Sequence, residues 1–361
     1  MEKLVLIDGN SLINRAFYAT PLLSTKGGVY TNAVYGFINM FLKILGEVKP
    51  SYVTVAFDVH APTFRHEMYG DYKGTRKPMP EELRPQIPLL KEILSLMKVN
   101  IVEKAGIEAD DVIGTIAKHT DVETYIYTGD KDSFQLVDEQ TRVCFTKRGI
   151  TDLEVYAFDN FTEKTDLIPS QIIDLKSLMG DSSDNIPGVK GVGEKTAKSL
   201  LSTYKTLEGV YQNIDEIKGS LKDKLIENKE TAFLSKTLAT INVDCDIDVD
   251  LQKMKIHTPF SQDLRKKFIE LELKNLYSKS EIFDTATTAE NPTSNQESKA
   301  IKVVAVEDLN QVKEINATAF SLAVTDKLIA LYFNDTEYQF LVKQNLLDDG
   351  FTFSEYRWCC A

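Results

Sequence analysis

The sequence predicts an α/β fold: a parallel, doubly wound sheet flanked by helices, followed by a mainly helical segment. Three observations carry that prediction. Short apolar runs of strand length alternate with helix-length periodic segments in the first part of the chain. Three of those runs end in an aspartate, as strands do when their carboxyl ends face a common edge. Beyond residue 169 the strand-like runs give way to helical periodicity.

In chain order, residues 3–7 form an apolar run that ends in Asp8-Gly9-Asn10. Residues 33–45 have helix length and apolar periodicity, and residues 52–57 read as a strand ending in Asp58. Residues 87–97 are helical by periodicity, 100–102 are short and β-branched, and 111–119 are helical. Residues 123–127 form a strand leading into Thr128-Gly129-Asp130, and 142–145 form another. Strands alternating with helices imply βαβ units and a parallel sheet. Residues 169–240 are mostly helical, interrupted at 186–193 by Ile-Pro-Gly-Val-Lys-Gly-Val-Gly. Residues 284–299 lack apolar periodicity and read as a linker. Residues 300–345 read as the opening strands of a further α/β unit, which about 60 residues would make only marginally stable. The predicted organisation is an α/β core over 1–168, a helical subdomain over 169–283, a linker over 284–299 and an incomplete segment over 300–361.

A length of 361 residues suits about two domains at ~150 residues each. With 43% hydrophobic and 27% charged residues, the composition excludes a fibrous or wholly disordered chain. No run approaches the ~18 apolar residues of a membrane span, and the apolar start is too short for a signal peptide. Cys144, Cys245, Cys359 and Cys360 form no CxxC and no metal spacing, which fits a reducing cytoplasm.

The net charge of −12 argues on its face against a nucleic-acid partner. It is unevenly placed: residues 284–361 hold 12 acidic and 6 basic side chains. Nine acids elsewhere are candidates for one site: Asp8, Asp58, Glu108, Asp110, Asp111, Asp130, Asp132, Asp181 and Asp184. With these nine set aside, the first 283 residues carry 36 basic against 33 acidic side chains.

A lone aspartate after a strand is commonly a turn former or helix cap. Three of them at one sheet edge, beside Glu108-Ala109-Asp110-Asp111 and Asp130-Lys131-Asp132, are a charge cluster that needs a cation. Asp181 and Asp184 would share one face if their segment were helical. All-oxygen ligation without His or Cys selects Mg²⁺ or Mn²⁺ over Zn²⁺. More carboxylates than one ion needs implies two or more ions, the arrangement used for phosphoryl displacement.

Two further stretches suit phosphate. The glycines of 186–193 allow close backbone approach, and Lys190, Lys195 and Lys198 add positive charge. Residues 64–77, Phe-Arg-His-Glu-Met-Tyr-Gly-Asp-Tyr-Lys-Gly-Thr-Arg-Lys, interleave cations with rings, as single-strand binding requires, although a solvated basic loop reads the same way. His60 and His66 read as surface or packing residues.

Four blocks, Asp8-Gly9-Asn10-Ser11, Glu108–Asp111, Thr128–Asp132 and the run 180–197, together resemble the 5′-nuclease family, in the branch that precedes bacterial DNA polymerase I. The resemblance covers about residues 1–283. It implies metal-dependent hydrolysis of phosphodiesters at 5′ ends and flaps of DNA and RNA-primed DNA, leaving a 5′-phosphate, in replication and repair. All nine carboxylates match its metal positions. It further implies a helical arch at about 64–85, where Arg65 and Tyr72 would meet DNA. Lys73 and Arg76 would act on the scissile phosphate beside Asp8 and Arg15. It implies a helix–hairpin–helix at about 180–200, gripping duplex through Gly188, Lys190, Gly191, Gly193, Lys195 and Thr196, with K⁺ on its loop carbonyls. The partners implied are DNA with 5′ flaps, nicks or RNA primers; a monomer with no membrane association is expected.

Residues 300–345 resemble the start of the proofreading-like domain that follows the nuclease. Phe320-Ser321-Leu322-Ala323-Val324 lacks that domain's metal-binding acids, so no proofreading is expected. There is no polymerase domain, and the ending Trp358-Cys359-Cys360-Ala361 reads as a truncation or frameshift. The competing readings are a DNA-binding module without catalysis and a different Mg²⁺ phosphotransfer enzyme. The full acid set opposes the first; the basic–aromatic segment and the hairpin oppose the second.

Overall fold

In a computed structural model of the chain, residues 2–59, 61–148 and 152–283 are described, together with the strand backbones at 302–305, 321–324, 328–333 and 336–341. Strand β1 (Lys3–Asp8) lies at the centre of a six-stranded sheet. Around it are β2 (Tyr52–Ala56), β3 (Asn100–Val102), β4 (Glu123–Thr128), β5 (Thr141–Arg148) and β6 (Asp152–Tyr156), in the order β3-β2-β1-β4-β5-β6. The first five strands run parallel. The edge strand β6 is antiparallel to β5, so the expectation of an all-parallel sheet holds for five strands and fails at the edge. An antiparallel edge on a doubly wound sheet needs only a short hairpin, which periodicity alone does not reveal.

Alternation along β1 builds both cores. Val5 and Ile7 join one apolar cluster with Leu12, Phe37, Phe41, Val53 and Leu90. Leu4 and Leu6 join the other, with Val112, Ile113, Ile116, Ile126 and Phe134. A strand buried on both faces is expected where helices cover both sides. Helices α1 (Gly9–Ala19), α2 (Asn32–Val48), α3 (Phe64–Met68), α4 (Gln86–Leu96) and α5 (Ala109–Lys118) fall between the strands. Of these, α1 follows β1 without a break, where periodicity predicts no helix. Its buried stripe is only Leu12, Ile13 and Ala16, too short for a periodic signal.

The sheet order reverses on either side of β1, which places the switch point between β1 and β4. Asp8 stands in register with Ala56, and Ile7 with Tyr127, so the carboxyl ends of β1, β2 and β4 open on one edge.

After α6 (Phe161–Thr165) come α7 (Gln171–Met179), α8 (Glu194–Tyr204), α9 (Leu207–Gln212), α10 (Ser220–Glu227) and α11 (Lys229–Ala239). The helical segment was legible in the sequence, whereas the conformation of 181–185 was not. Asp181 and Ile186 form a β-bridge around a turn, so Asp181 and Asp184 do not share a helix face.

Met1–Thr287 and Thr288–Ala361 form separate compact units. Within the second, β7 (Lys302–Ala305), β8 (Ser321–Val324), β9 (Leu328–Phe333) and β10 (Thr336–Leu341) pair in the order β7-β10-β9-β8. The strands expected in this region are present; β7 pairs parallel with β10 and the other pairs are antiparallel. His60, the expected linker at 284–299 and the chain end beyond residue 341 lie outside the described residues.

Candidate active site

Four carboxylates meet at the switch point. Asp8 ends β1; its Oδ1 accepts from the Ser11 N–H at 2.9 Å and its Oδ2 from the Thr128 hydroxyl at 3.0 Å. Asp58 follows β2 and accepts from the Ala109 N–H at 2.8 Å and from Asn10 Nδ2 at 3.3 Å. Asp130 follows β4 and accepts from the Asp132 N–H at 3.0 Å. Asp110, in the first turn of α5, accepts from the Ser133 hydroxyl at 3.5 Å. None of the four forms an ion pair among the described residues. Burial, then the neighbouring Asp58 and Asp130, push the Asp8 carboxyl up to about 7, against hydrogen bonds from Ser11 and Thr128 that hold it down. Burial, with Asp8 and Asp130, raises Asp110 well above the carboxylate range.

The other five acids are neutralised by the protein. Lys73 Nζ lies 2.9 Å from Glu108 Oε2 and 3.9 Å from Asp184 Oδ2. Arg76 pairs with Asp184 Oδ1. Lys176 bridges Asp132 and Asp181. Burial alone would raise Asp181; Lys176 and the Ser183 donors instead bring it down to about 2. Asp111 is 0% exposed, and Arg65 takes both its oxygens, at 2.7 and 2.8 Å.

The structure therefore divides the nine predicted acids. Asp111, expected among the metal ligands, is consumed by Arg65 and by the Asn242 and Glu108 N–H groups. Arg65 and Tyr72, expected on the DNA surface, are 3% and 4% exposed. Tyr72 donates its hydroxyl to Glu108 or Asp184, each 3.2 Å away, and its ring meets His66 edge-on. Burial and the two acids raise the Tyr72 phenol above its ordinary value. Both residues are held by carboxylates far along the chain, which the local basic–aromatic pattern does not contain.

Arg15 lies across Gly129, where a Cβ would stand 2.9 Å from its Nη2, and donates to the Lys147 carbonyl at 3.1 Å. In the hairpin, the Gly188 N–H donates to Ser235 Oγ at 2.9 Å, and a Cβ on Gly188 would meet the Gly180 nitrogen at 2.2 Å. Gly188 and Gly191 have φ of 63° and 79°, which glycine alone adopts without strain. Gly193 caps α8 without a side-chain hydrogen bond, leaving N–H groups free in the first turn. Lys190, Gly191 and Lys195 are exposed and Thr196 is half-buried; Lys198 instead pairs with Glu194 and Asp166.

Two residues at the site had no signal in the sequence, and a third, Asn10, lay in a recognised block without a role of its own. Lys176 sits inside α7, and Lys224, from α10, would lie 3.1 Å from a Cβ on Gly191. Asn10 holds Asp58 through its amide, while its own Oδ1 is buried without a partner.

Among the described residues no three His, Cys, Asp or Glu side chains already close around a point as a finished cage. Like charges at the switch point separate, and the protein's own cations hold Glu108, Asp132, Asp181 and Asp184. The donor set nevertheless fits hard divalent ions. It is all oxygen, its central four acids form no ion pair among the described residues, and Asn10 adds an orphaned buried acceptor.

A doubly wound sheet with acids gathered at its switch point, followed by a glycine hairpin that exposes N–H groups, is an arrangement suited to metal-assisted hydrolysis of a phosphodiester. Comparison with known proteins agrees. Residues 3–166 match the family described as 5′-3′ exonuclease, N-terminal resolvase-like domain, and residues 167–262 match its C-terminal SAM fold. The chain belongs to the 5′-3′ exonuclease family, and is a nuclease by that membership. DNA polymerase I of Bacillus subtilis (strain 168) is 49% identical over 258 residues, 70% of this chain and 29% of the relative. DNA polymerase I of Lactococcus lactis subsp. cremoris is 40% identical over 329 residues, 88% of this chain and 37% of the relative. The chain thus spans about a third of the curated relatives it matches. In fold it is similar to a T5 flap endonuclease in complex with DNA and metal ions (TM-score 0.55, 22% identity, 67% of this chain and 89% of that one). It is also similar to the catalytic core of Rad2 with a DNA substrate (TM-score 0.53, 18% identity, 78% and 91%). No described helix is long and apolar enough to cross a membrane.

Proposed function

We propose that the chain is a Mg²⁺-dependent, structure-specific 5′-nuclease that cleaves phosphodiester bonds at 5′ ends and 5′ flaps of DNA, including RNA-primed ends. It leaves a 5′-phosphate and serves replication and repair in the cytoplasm. The observation that carries this reading is the uncompensated quartet Asp8, Asp58, Asp110 and Asp130. Four acids brought together without an ion pair, two of them with a raised affinity for a proton, make a site for external positive charge. Two or more Mg²⁺ ions, or Mn²⁺ in their place, would be held there and by Glu108, Asp132, Asp181 and Asp184. When bound, they supply an activated water and neutralise charge on the attacking and leaving oxygens.

The chain's own residues do the rest. Lys73 and Arg76, paired here with Glu108 and Asp184, carry the cationic ends that would serve the scissile phosphate. Arg15, braced over Gly129, offers its guanidinium beside the Asp130 strand end. The exposed Lys190 and Lys195, Lys224 and the free N–H groups of α8 position duplex backbone, with K⁺ on the loop carbonyls. The chain acts as a monomer, organised as an α/β core over 1–168, a helical subdomain over 169–283, a linker and a tail without proofreading activity. A 5′-labelled flap duplex tests the reading. Cleavage in Mg²⁺ that stops in excess chelator and resumes when Mg²⁺ is restored is expected; full cleavage in chelator would refute it.

A further inference from the structure

Arg65 belongs to the basic–aromatic segment, yet every one of its five N–H donors is turned inward. Nε donates to the Leu238 carbonyl at 2.9 Å. Nη2 donates to the Thr240 carbonyl and to Asp111 Oδ1, both at 2.7 Å. Nη1 donates to Asp111 Oδ2 at 2.8 Å and to Glu108 Oε2 at 3.3 Å. One side chain therefore fastens three parts of the chain: α3, the first turn of α5, and the exit of α11. Asp111 is equally saturated, since its oxygens also accept from the Asn242 N–H at 2.9 Å and the Glu108 N–H at 3.3 Å.

We propose that Arg65 is a positioning residue for the nuclease reaction: it sets the first turn of α5, and through it Glu108 and Asp110, and it does not touch DNA. The proposal rests on the reading of the acid cluster as a metal-dependent nuclease site. Its physical basis is the crowding of that turn. Glu108, Asp110 and Asp111 are three acids in four positions, and Asp110 forms no ion pair, with only the field of Lys73 opposing that of Asp8, Asp130 and Asp58. Only a buried positive charge at Asp111 lets the turn stay packed with Asp110 facing the strand ends. A planar fork is needed because the five bonds go to two chain segments at once, two to the exit of α11 and three to the start of α5; an ammonium satisfies at most three of them and fixes no plane. A shift of about 1 Å in α5 would misplace Asp110 enough to slow chemistry far from Arg65 itself.

The test compares wild type, Arg65→Lys, Arg65→Ala and Asp111→Asn in the full chain. Four quantities are read: thermal midpoint, Tb³⁺ luminescence titration, salt dependence of 5′-flap duplex binding in Ca²⁺, and single-turnover cleavage against Mg²⁺. For Arg65→Lys the duplex affinity should stay within about twofold with an unchanged salt slope. The Tb³⁺ midpoint should rise about tenfold and cleavage should fall roughly 10–100-fold, the usual cost of disturbing the support of a metal site. Asp111→Asn should show the same signature, and the double variant should be no worse than the singles, as for one shared unit. A salt slope reduced by about one would make Arg65 a phosphate contact and overturn the proposal. A lower thermal midpoint with unchanged Tb³⁺ midpoint and cleavage would make it merely structural and overturn it too. If wild type itself fails to cleave in Mg²⁺, the nuclease reading falls instead, and the salt slope and Tb³⁺ arms still judge Arg65. Should Arg65→Ala not fold, Arg65→Lys decides.

Discussion

The acids at the strand ends and the acids around them are held in opposite ways. Asp8, Asp58, Asp110 and Asp130 receive hydrogen bonds from backbone N–H groups, hydroxyls and one amide, which orient a carboxyl group without supplying a counter-ion. Glu108, Asp132, Asp181 and Asp184 receive lysine and arginine, which cancel the charge. The contrast teaches that the site comes in two electrical states. The inner group has no ion pair and takes its positive charge from outside, as a proton or a metal; the outer group is already paired and must trade partners to take part.

The largest test of that contrast lies in the inner group. Asp110→Asn and Asp130→Asn should each reduce flap cleavage at least about a hundredfold, because a ligand charge to the transition state is lost. Flap binding in Ca²⁺ should stay within about twofold; an equal loss of binding would break the distinction between chemistry and grip.

Smaller is the effect of uncapping the outer group. Lys176→Met leaves Asp132 and Asp181 facing each other without a cation. Ion-free stability should drop by about 2 kcal/mol, below the 3–5 of a fully buried pair because the site is partly open. Urea melts in chelator and in Ca²⁺ would measure this. Recovery in Ca²⁺ sharpens the comparison, and an equal drop in both solutions defeats it.

The smallest effect is on pH. Because folded Asp8 titrates near 7 and an unfolded aspartate near 4, the folded protein holds a proton the unfolded chain has released between those values. Its contribution to stability is therefore most favourable at low pH and declines as pH rises from about 4 to 7. In chelator, Asp8→Asn should remove that decline and melt roughly 2–4 °C above wild type at pH 8 while being inactive. Melting curves of both proteins from pH 5 to 8 check the sign; parallel curves would mean that Asp8 is not uncompensated.

What the sequence disclosed follows the range of the forces involved. Asp8, Asp58 and Asp130 were legible because each directly follows an apolar strand, a local pattern, and the sheet then gathers them. The helices of 169–240 were legible for the same reason. The burial of Arg65 and Tyr72 was not legible, because cations between rings look alike in an exposed loop and in a buried clamp. What decides is Asp111, 46 residues on, and Leu238, 173 residues on, for Arg65, and Asp184, 112 residues on, for Tyr72. Lys176 in α7 looked like any helical lysine until the fold set it between two acids. The antiparallel β6 escaped because five residues hold too few repeats, and α1 because its 11 residues bury only Leu12, Ile13 and Ala16 as an apolar stripe.

The backbone contact between Gly180 and Gly188 has a mechanical consequence. The chain between them carries Asp181 and Asp184, and its two ends touch through atoms that no side chain can replace. The hairpin and those acids therefore behave as one strut. Whatever the hairpin holds is kept at a set distance from the outer carboxylates, and it cannot slide without carrying them along. A methyl group on Gly188 would pry that strut open and shift both acids, so two positions without side chains govern the alignment of a site built almost wholly from side chains.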